Sequence, residues 1–256
     1  MTFDAYIGID YSGAKTPDAR LSGLEVYLAD DELPERVNAP FGASDKRQNW
    51  TRREIAEWLI DRVSAGSRCV IGIDHGFSFP MTYLRGYTLT TWDEFLNDFV
   101  EHWPTHRPDV TVDMIRKQSN GRTGSSRDLR LCEQWTSSAK SVFLFDVQGQ
   151  VAKSTHSGIP WLWHIRNEVG DRVHFWPFDG WNLPEDRSVI AEVYPSIFRS
   201  RYRQEGPTDH ELDAYSVARW LKETCESGFL ERYIDPPLTE EEQGIASLEG
   251  WILGIA

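Results

Sequence analysis

Cysteine is scarce in this chain, and so are long apolar runs and positive charge. The three cysteines, Cys69, Cys132 and Cys225, are an odd number, far apart and without a C-x-x-C pair. That usage argues against a disulfide or zinc framework and predicts a reducing compartment, the cytoplasm. No apolar run approaches the length of a membrane span, and no basic segment leading into an apolar one opens the chain. Neither a membrane anchor nor a secretion signal is therefore expected. Lys and Arg together number 27 against 40 Asp and Glu, a formal net charge of −13. Such a balance counts against holding nucleic acid by a generally basic surface. Positive charge is instead local, in "RKQSNGRTGSSRDLR" at 116–130 and "FRSRYR" at 198–203, while Glu240, Glu241 and Glu242 stand in a row. The simplest reading of each charged run is a solvated surface.

What is present is an ordinary globular composition, 40% hydrophobic and 26% charged, in 256 residues that can bury a substantial core. Within it the tetrapeptide Ile-Gly-Ile-Asp occurs twice, closing "YIGID" at 6–10 and "VIGID" at 70–74. Each copy reads as a buried strand, 5–11 and 68–74, that ends in an acid before a turn. Segments 21–28 and 35–40 read as further strands, "TRREIAEWLIDRVSAG" as a helix capped by Thr51 and ended by Gly66. Further on, a helix is expected over 91–103 with Thr91 as its cap, a long loop over 104–130, and a helix over 158–170 with Pro160 near its first turn. Strands are expected at 172–178 and 188–195. The clearest helix is 208–228, capped by Thr208 or Asp209, with an apolar stripe through Leu212, Tyr215, Val217, Ala218 and Leu221. The pattern predicts an α/β fold with a sheet opened by a meander.

Alternate strand residues share a face, so Gly8 points with Asp10, and Gly72 with Asp74. A glycine two residues before the acid leaves space for a metal, a phosphate or an approaching backbone. Glu192 lies inside apolar "VIAEVYP", where a carboxylate must be paired, protonated or bound to a cation. Asp209 and Asp213 share a helix face at a spacing that costs stability unless a cation offsets it. Clusters of carboxylates alone suit Mg²⁺ or Mn²⁺.

With these pieces in this order, the chain resembles the ribonuclease H-like arrangement. More narrowly, "GIDYSGA", "IGIDHGFSFP", "AEVYPSIFRSRY", "DHELDAYSVARWL" and "EGWILGI" resemble the family named domain of unknown function 429. The resemblance covers most of the chain except its central third, and departs from the family pattern at His75, where a small residue or Pro is commoner. It implies one ribonuclease H-like domain over 1–256 with an insertion or long loop around 95–170, and a mixed sheet of antiparallel meander and parallel strands flanked by helices. It also implies a nuclease or resolvase-like activity in which Asp10, Asp74, Glu192 and Asp213 hold the metal and carry catalysis. Asp209 would be a fifth ligand or a cap. Lys15, Arg116, Lys117, Arg122, Arg127 and Arg130 are the candidate contacts to nucleic acid; for Lys15 the plainer reading is an exposed lysine. His75 and His210, beside the acids, are candidate proton carriers.

Two other readings stand beside this one. "IGIDYSGAK" also passes for the first phosphate-meeting segment of an actin or sugar-kinase type ATP-binding protein, although such folds need two halves and more chain than this. A non-catalytic scaffold is the third, with acids that only start turns and some of the 11 tryptophans, as in "WLWH" and "FWPFDGW", forming a binding surface.

Overall fold

The two IGID segments become neighbours. In the computed structural model, which describes residues 3–40, 49–118, 121–136, 139–145, 151–202 and 206–256, β1 (Ala5–Asp10) and β4 (Cys69–Asp74) pair in parallel. Gly8 lies opposite Gly72, and Asp10 opposite Asp74. β2 (Glu25–Ala29) runs antiparallel to β1, and β3 (Glu35–Arg36) antiparallel to β2. β6 (Ser188–Val193) is parallel to β4, and β5 (Val173–Trp176) parallel to β6. β7 (Ile252–Leu253) pairs with β6 where β5 leaves off. The seven-stranded sheet thus has the order β3-β2-β1-β4-β6-β5, with β7 beside β6. The architecture is α/β with a mixed sheet, flanked by helices. Ser119, Asn120 and Arg203, parts of the two basic stretches, lie outside the described residues.

The alternation of β1 and β4 sorts the helices. Ile7, Ile9, Ile71 and Ile73 belong to a core shared with α1 (Arg52–Ser64), α3 (Trp92–His102) and α6 (Val151–Val169). On the other face Tyr6, Val70 and Val193 pack with α7 (Asp209–Glu226). The two glycines let α7 come close. A Cβ on Gly8 would stand 2.1 Å from the Ala214 carbonyl oxygen, and one on Gly72 would stand 2.6 Å from Val217 Cγ1. At Gly8 the occupant is the backbone of α7, and at Gly72 it is the side chains of Val217 and Val193.

The helix starts follow local capping chemistry. Thr51, Thr91 and Thr208 each accept from the amide three residues on, and Glu54, Glu94 and Glu211 reach back to complete the box. The acidic run Glu240–Glu242 forms the first turn of α9 (Glu240–Glu249), where negative charge meets the positive end of the helix dipole.

Several expectations need correcting. The strand expected over 21–28 starts only at Glu25, because Leu21–Leu24 closes a turn, and that over 35–40 shrinks to two residues. The stretch 104–130 is not all loop: α4 (Val112–Gln118) sits there, with Val112 and Ile115 buried. Short helices α2 (Met81–Gly86), α5 (Leu131–Trp135) and α8 (Leu230–Ile234) are too brief for a periodic pattern. α6 covers Val151–Val169, so Pro160 lies inside the helix rather than in its first turn. Proline removes the N–H that the carbonyl four residues back would receive. That carbonyl belongs to His156, and the fully buried Thr105 donates its hydroxyl to it at 2.7 Å. Thr105→Val keeps the shape but orphans the carbonyl, and should lower unfolding free energy by about 1–3 kcal/mol. Urea unfolding measures this; an unchanged midpoint would mean the hydroxyl plays no such part.

Among the described residues no helix is long and apolar enough to cross a membrane. All three cysteines are buried, and none is in a disulfide.

Candidate metal centre

The acids that end β1 and β4 point to the same face as Gly8 and Gly72, toward the first turns of α7. There His210, Asp213, Ala214, Val217 and Ala218 form the stripe that meets the sheet, the helical i, i+3, i+4, i+7, i+8 pattern. Its small residues allow the close approach, and its first two place polar side chains over the strand ends. Asp10, Asp74 and Asp213 each offer an oxygen, and these lie within 4.8 Å of one another. The group sits at the carboxyl ends of the parallel strands, where open α/β sheets expose their binding crevices. A cleft of about 690 Å³ opens above it.

A histidine and an arginine stand beside the acids. His210 Nδ1 is 2.7 Å from Asp10 Oδ2, and Arg199 Nη1 donates to both oxygens of Asp213, at 2.9 and 3.1 Å. Among the described residues no donor bonds to the Asp74 carboxylate. Burial pushes the Asp10 carboxyl up to about 6; the His210 hydrogen bond opposes the rise, while Asp213 and Glu25 add to it. Asp74 is pushed well above the ordinary carboxylate range, by burial first and then by the charges of Asp10, Asp213 and Glu192. Asp213 is raised by burial, with Arg199 pulling it back. His210 is raised by its bond to Asp10. Carboxylates this close cannot all ionise cheaply, so the site takes up protons or a cation. Its donors are all oxygens, which fits a divalent cation.

Glu192 does not join them. It grips the Arg130 guanidinium with both oxygens, at 2.5 and 2.7 Å, and accepts from the Phe77 amide at 2.9 Å. The apolar setting demanded a partner for Glu192, and that partner is an arginine. Asp209 is exposed, outside the trio. Its charge nevertheless contributes to the raised values of Asp213 and His210. His75 is buried against Tyr11 and Phe77, and burial lowers its pKa to about 4.

The basic candidates disperse. Arg130 is not on a solvated loop but fully buried, between Glu192 and Glu133. Arg122 pairs with Asp98 at 2.9 Å and covers the Tyr87 ring. Arg116 lies over Phe145. Lys117 and Arg127 are exposed, as is Lys15, whose backbone takes a positive φ of 54°. Sequence reasoning missed Arg199 as a member of the site; the basic run "FRSRYR" was its only trace. No family model matches the sequence, and neither a curated protein nor a solved structure matches the chain.

Proposed function

We propose that this protein hydrolyses phosphodiester bonds in nucleic acid, using Mg²⁺ or Mn²⁺ held by Asp10, Asp74 and Asp213. The observation that carries the reading is the convergence of three carboxylates, raised in pKa and all oxygen in their donors, at the floor of a cleft. The meander β1-β2-β3 followed by parallel β4, with acids at both strand ends and on α7, supports the ribonuclease H-like arrangement that the sequence resembles. When bound, the cation supplies Lewis acidity toward a phosphoryl oxygen and offsets the charge that develops there. The chain's own residues do the rest. His210 orients Asp10 by hydrogen bonding and holds a proton at the cleft mouth, and Arg199 fixes the Asp213 carboxylate. The net charge of −13 confines any phosphate contact to local sites such as the exposed Lys117 and Arg127.

The test is cleavage of labelled single-stranded and duplex DNA and RNA with Mg²⁺, Mn²⁺ or chelator. Metal-dependent cleavage that Asp10→Asn removes, while the variant stays folded, is the expected result. ATP hydrolysis without any nucleic-acid cleavage would replace this reading with the ATP-binding one.

A further inference from the structure

Behind one wall of the cleft lies a buried cation that forms no ion pair among the described residues, the charge of Asp18 reaching it only through space. Arg52, at the start of α1, is 1% exposed, and among the described residues no carboxylate pairs with it. Its guanidinium instead gathers backbone carbonyls from the loop after β1: Ser12 at 2.9 Å, Ala14 at 2.8 Å and Lys15 at 3.0 Å. The C=O and N–H of a trans peptide point in opposite directions. Turning the Ser12 carbonyl onto Arg52 therefore turns the Gly13 N–H away from it. Gly13 and Ala14 line the cleft, and Arg52 does not.

These amides have little to bond. Gly13 is buried, yet its N–H has no partner among the described residues, and the Ala14 N–H has only the Ser12 hydroxyl at 3.5 Å. A buried backbone donor left unpaired is rare and costly. Tyr11, on the same wall and 8% exposed, also has a buried hydroxyl without a partner among the described residues. Lys153 lines this side of the cleft as well and reaches Asp113 at 2.8 Å. Glycine is required at 13, because a Cβ there would stand 2.1 Å from the Lys153 carbonyl oxygen. Unpaired amides, a hydroxyl and a buried positive charge behind them make a concavity for an anion.

We infer that the Ser12–Ala14 loop, held from behind by Arg52, is a subsite for a phosphoryl group. The Gly13 and Ala14 amides and the Ser12 hydroxyl donate to its oxygens, and the Arg52 charge stabilises it through the loop. As a place for the substrate's phosphate the subsite rests on the hydrolase reading; as an anion site it needs no metal. A carboxylate of the trio repels a phosphate in the absence of a cation, so affinity should rise when Mg²⁺ is added.

The experiment is a titration of ¹⁵N-labelled full-length protein with inorganic phosphate, in chelator and then in Mg²⁺, followed by amide shifts. The Gly13 and Ala14 amide protons should move downfield and saturate, and Arg52→Lys should weaken phosphate by about tenfold, the loss of charge-assisted bonds that shape the loop. If Arg52→Lys does not fold, the wild-type shifts decide alone. Phosphate that binds without moving the Gly13 amide overturns the subsite, as does equal affinity in a folded variant. Mg²⁺ titrated by itself reads the acid trio separately. Silence of Asp10, Asp74 and Asp213 toward Mg²⁺ would remove the hydrolase reading and leave the anion subsite to the Gly13 result.

Discussion

Arg130→Met is expected to destabilise the fold by about 3–5 kcal/mol, the cost of leaving buried charges without their partner. Arg130 holds Glu192 with two bonds and Glu133 at 3.0 Å, and touches the Glu249 carbonyl at 3.3 Å. The side chain of Glu249 is taken by the Met81 and Leu131 amides, at 2.5 and 2.6 Å. One cation therefore serves a neighbourhood of three buried acids, and Glu133 and Glu249 are already raised in pKa by burial. A folded-state pKa above the unfolded one means that the ionised form is disfavoured in the fold. Its cost appears as pH rises past the unfolded value and is complete above the folded one. Removing Arg130 raises both acids further, so the deficit of the variant should be largest at neutral pH and should shrink on acidification. Urea midpoints across pH measure both effects. Adding Glu192→Gln to the variant should recover part of the loss, since the amide removes one unpaired charge. A single variant within about 1 kcal/mol of wild type would show the network to be dispensable. The same burial disqualifies Arg130 from tests of nucleic-acid contact. Charge reversal at Lys117 and Arg127 serves that purpose without touching the core.

Asp74→Asn should do the opposite in chelator and melt higher than wild type at pH 7. Asp74 is the member of the trio that no donor reaches among the described residues, whereas Asp213 has Arg199 and Asp10 has His210. Replacing Asp213 would strand Arg199; replacing Asp74 strands nothing. Two unit charges about 4 Å apart interact by roughly 4 kcal/mol at an effective dielectric constant of 20. Relaxation and partial protonation reduce this to a net gain on the order of 1 kcal/mol, or roughly 2–4 °C for a chain of this size. The sign with pH follows from the raised Asp74 carboxyl. Wild type loses stability as pH climbs from the ordinary value of 3.8 through the raised folded value, and the variant does not. The advantage therefore grows toward neutrality and vanishes in acid. Mg²⁺ or Mn²⁺ should reverse the ranking, because a cation that binds only the folded state stabilises wild type and has lost a ligand in the variant. Thermal melts in chelator and in metal read both halves. A variant that melts lower in chelator yet gains as much from metal as wild type would mean that Asp74 is an ordinary turn residue.

The amino-acid sequence alone determined the features whose causes lie within a few residues. Thr51, Thr91 and Thr208 cap their helices through bonds to residues three positions on. The apolar runs with an acid at the end specified β1 and β4, and Asp213 was marked by sharing a helix face with Asp209. Such information is carried by periodicity and capping, which are local. What tertiary structure decided depended on side chains brought from far away. Glu192 needed a partner, but only the fold brought Arg130, 62 positions distant, to it. The carbonyl that Pro160 deprives of its helical donor found Thr105, 51 positions away. The repeated glycine admitted a metal, a phosphate or a backbone, and the packing of α7 on the sheet put its backbone against Gly8 and the Val217 side chain against Gly72. Long-range partners compete for the same buried polar groups, and which of them arrives is settled by the packing of whole elements rather than by any spacing along the chain.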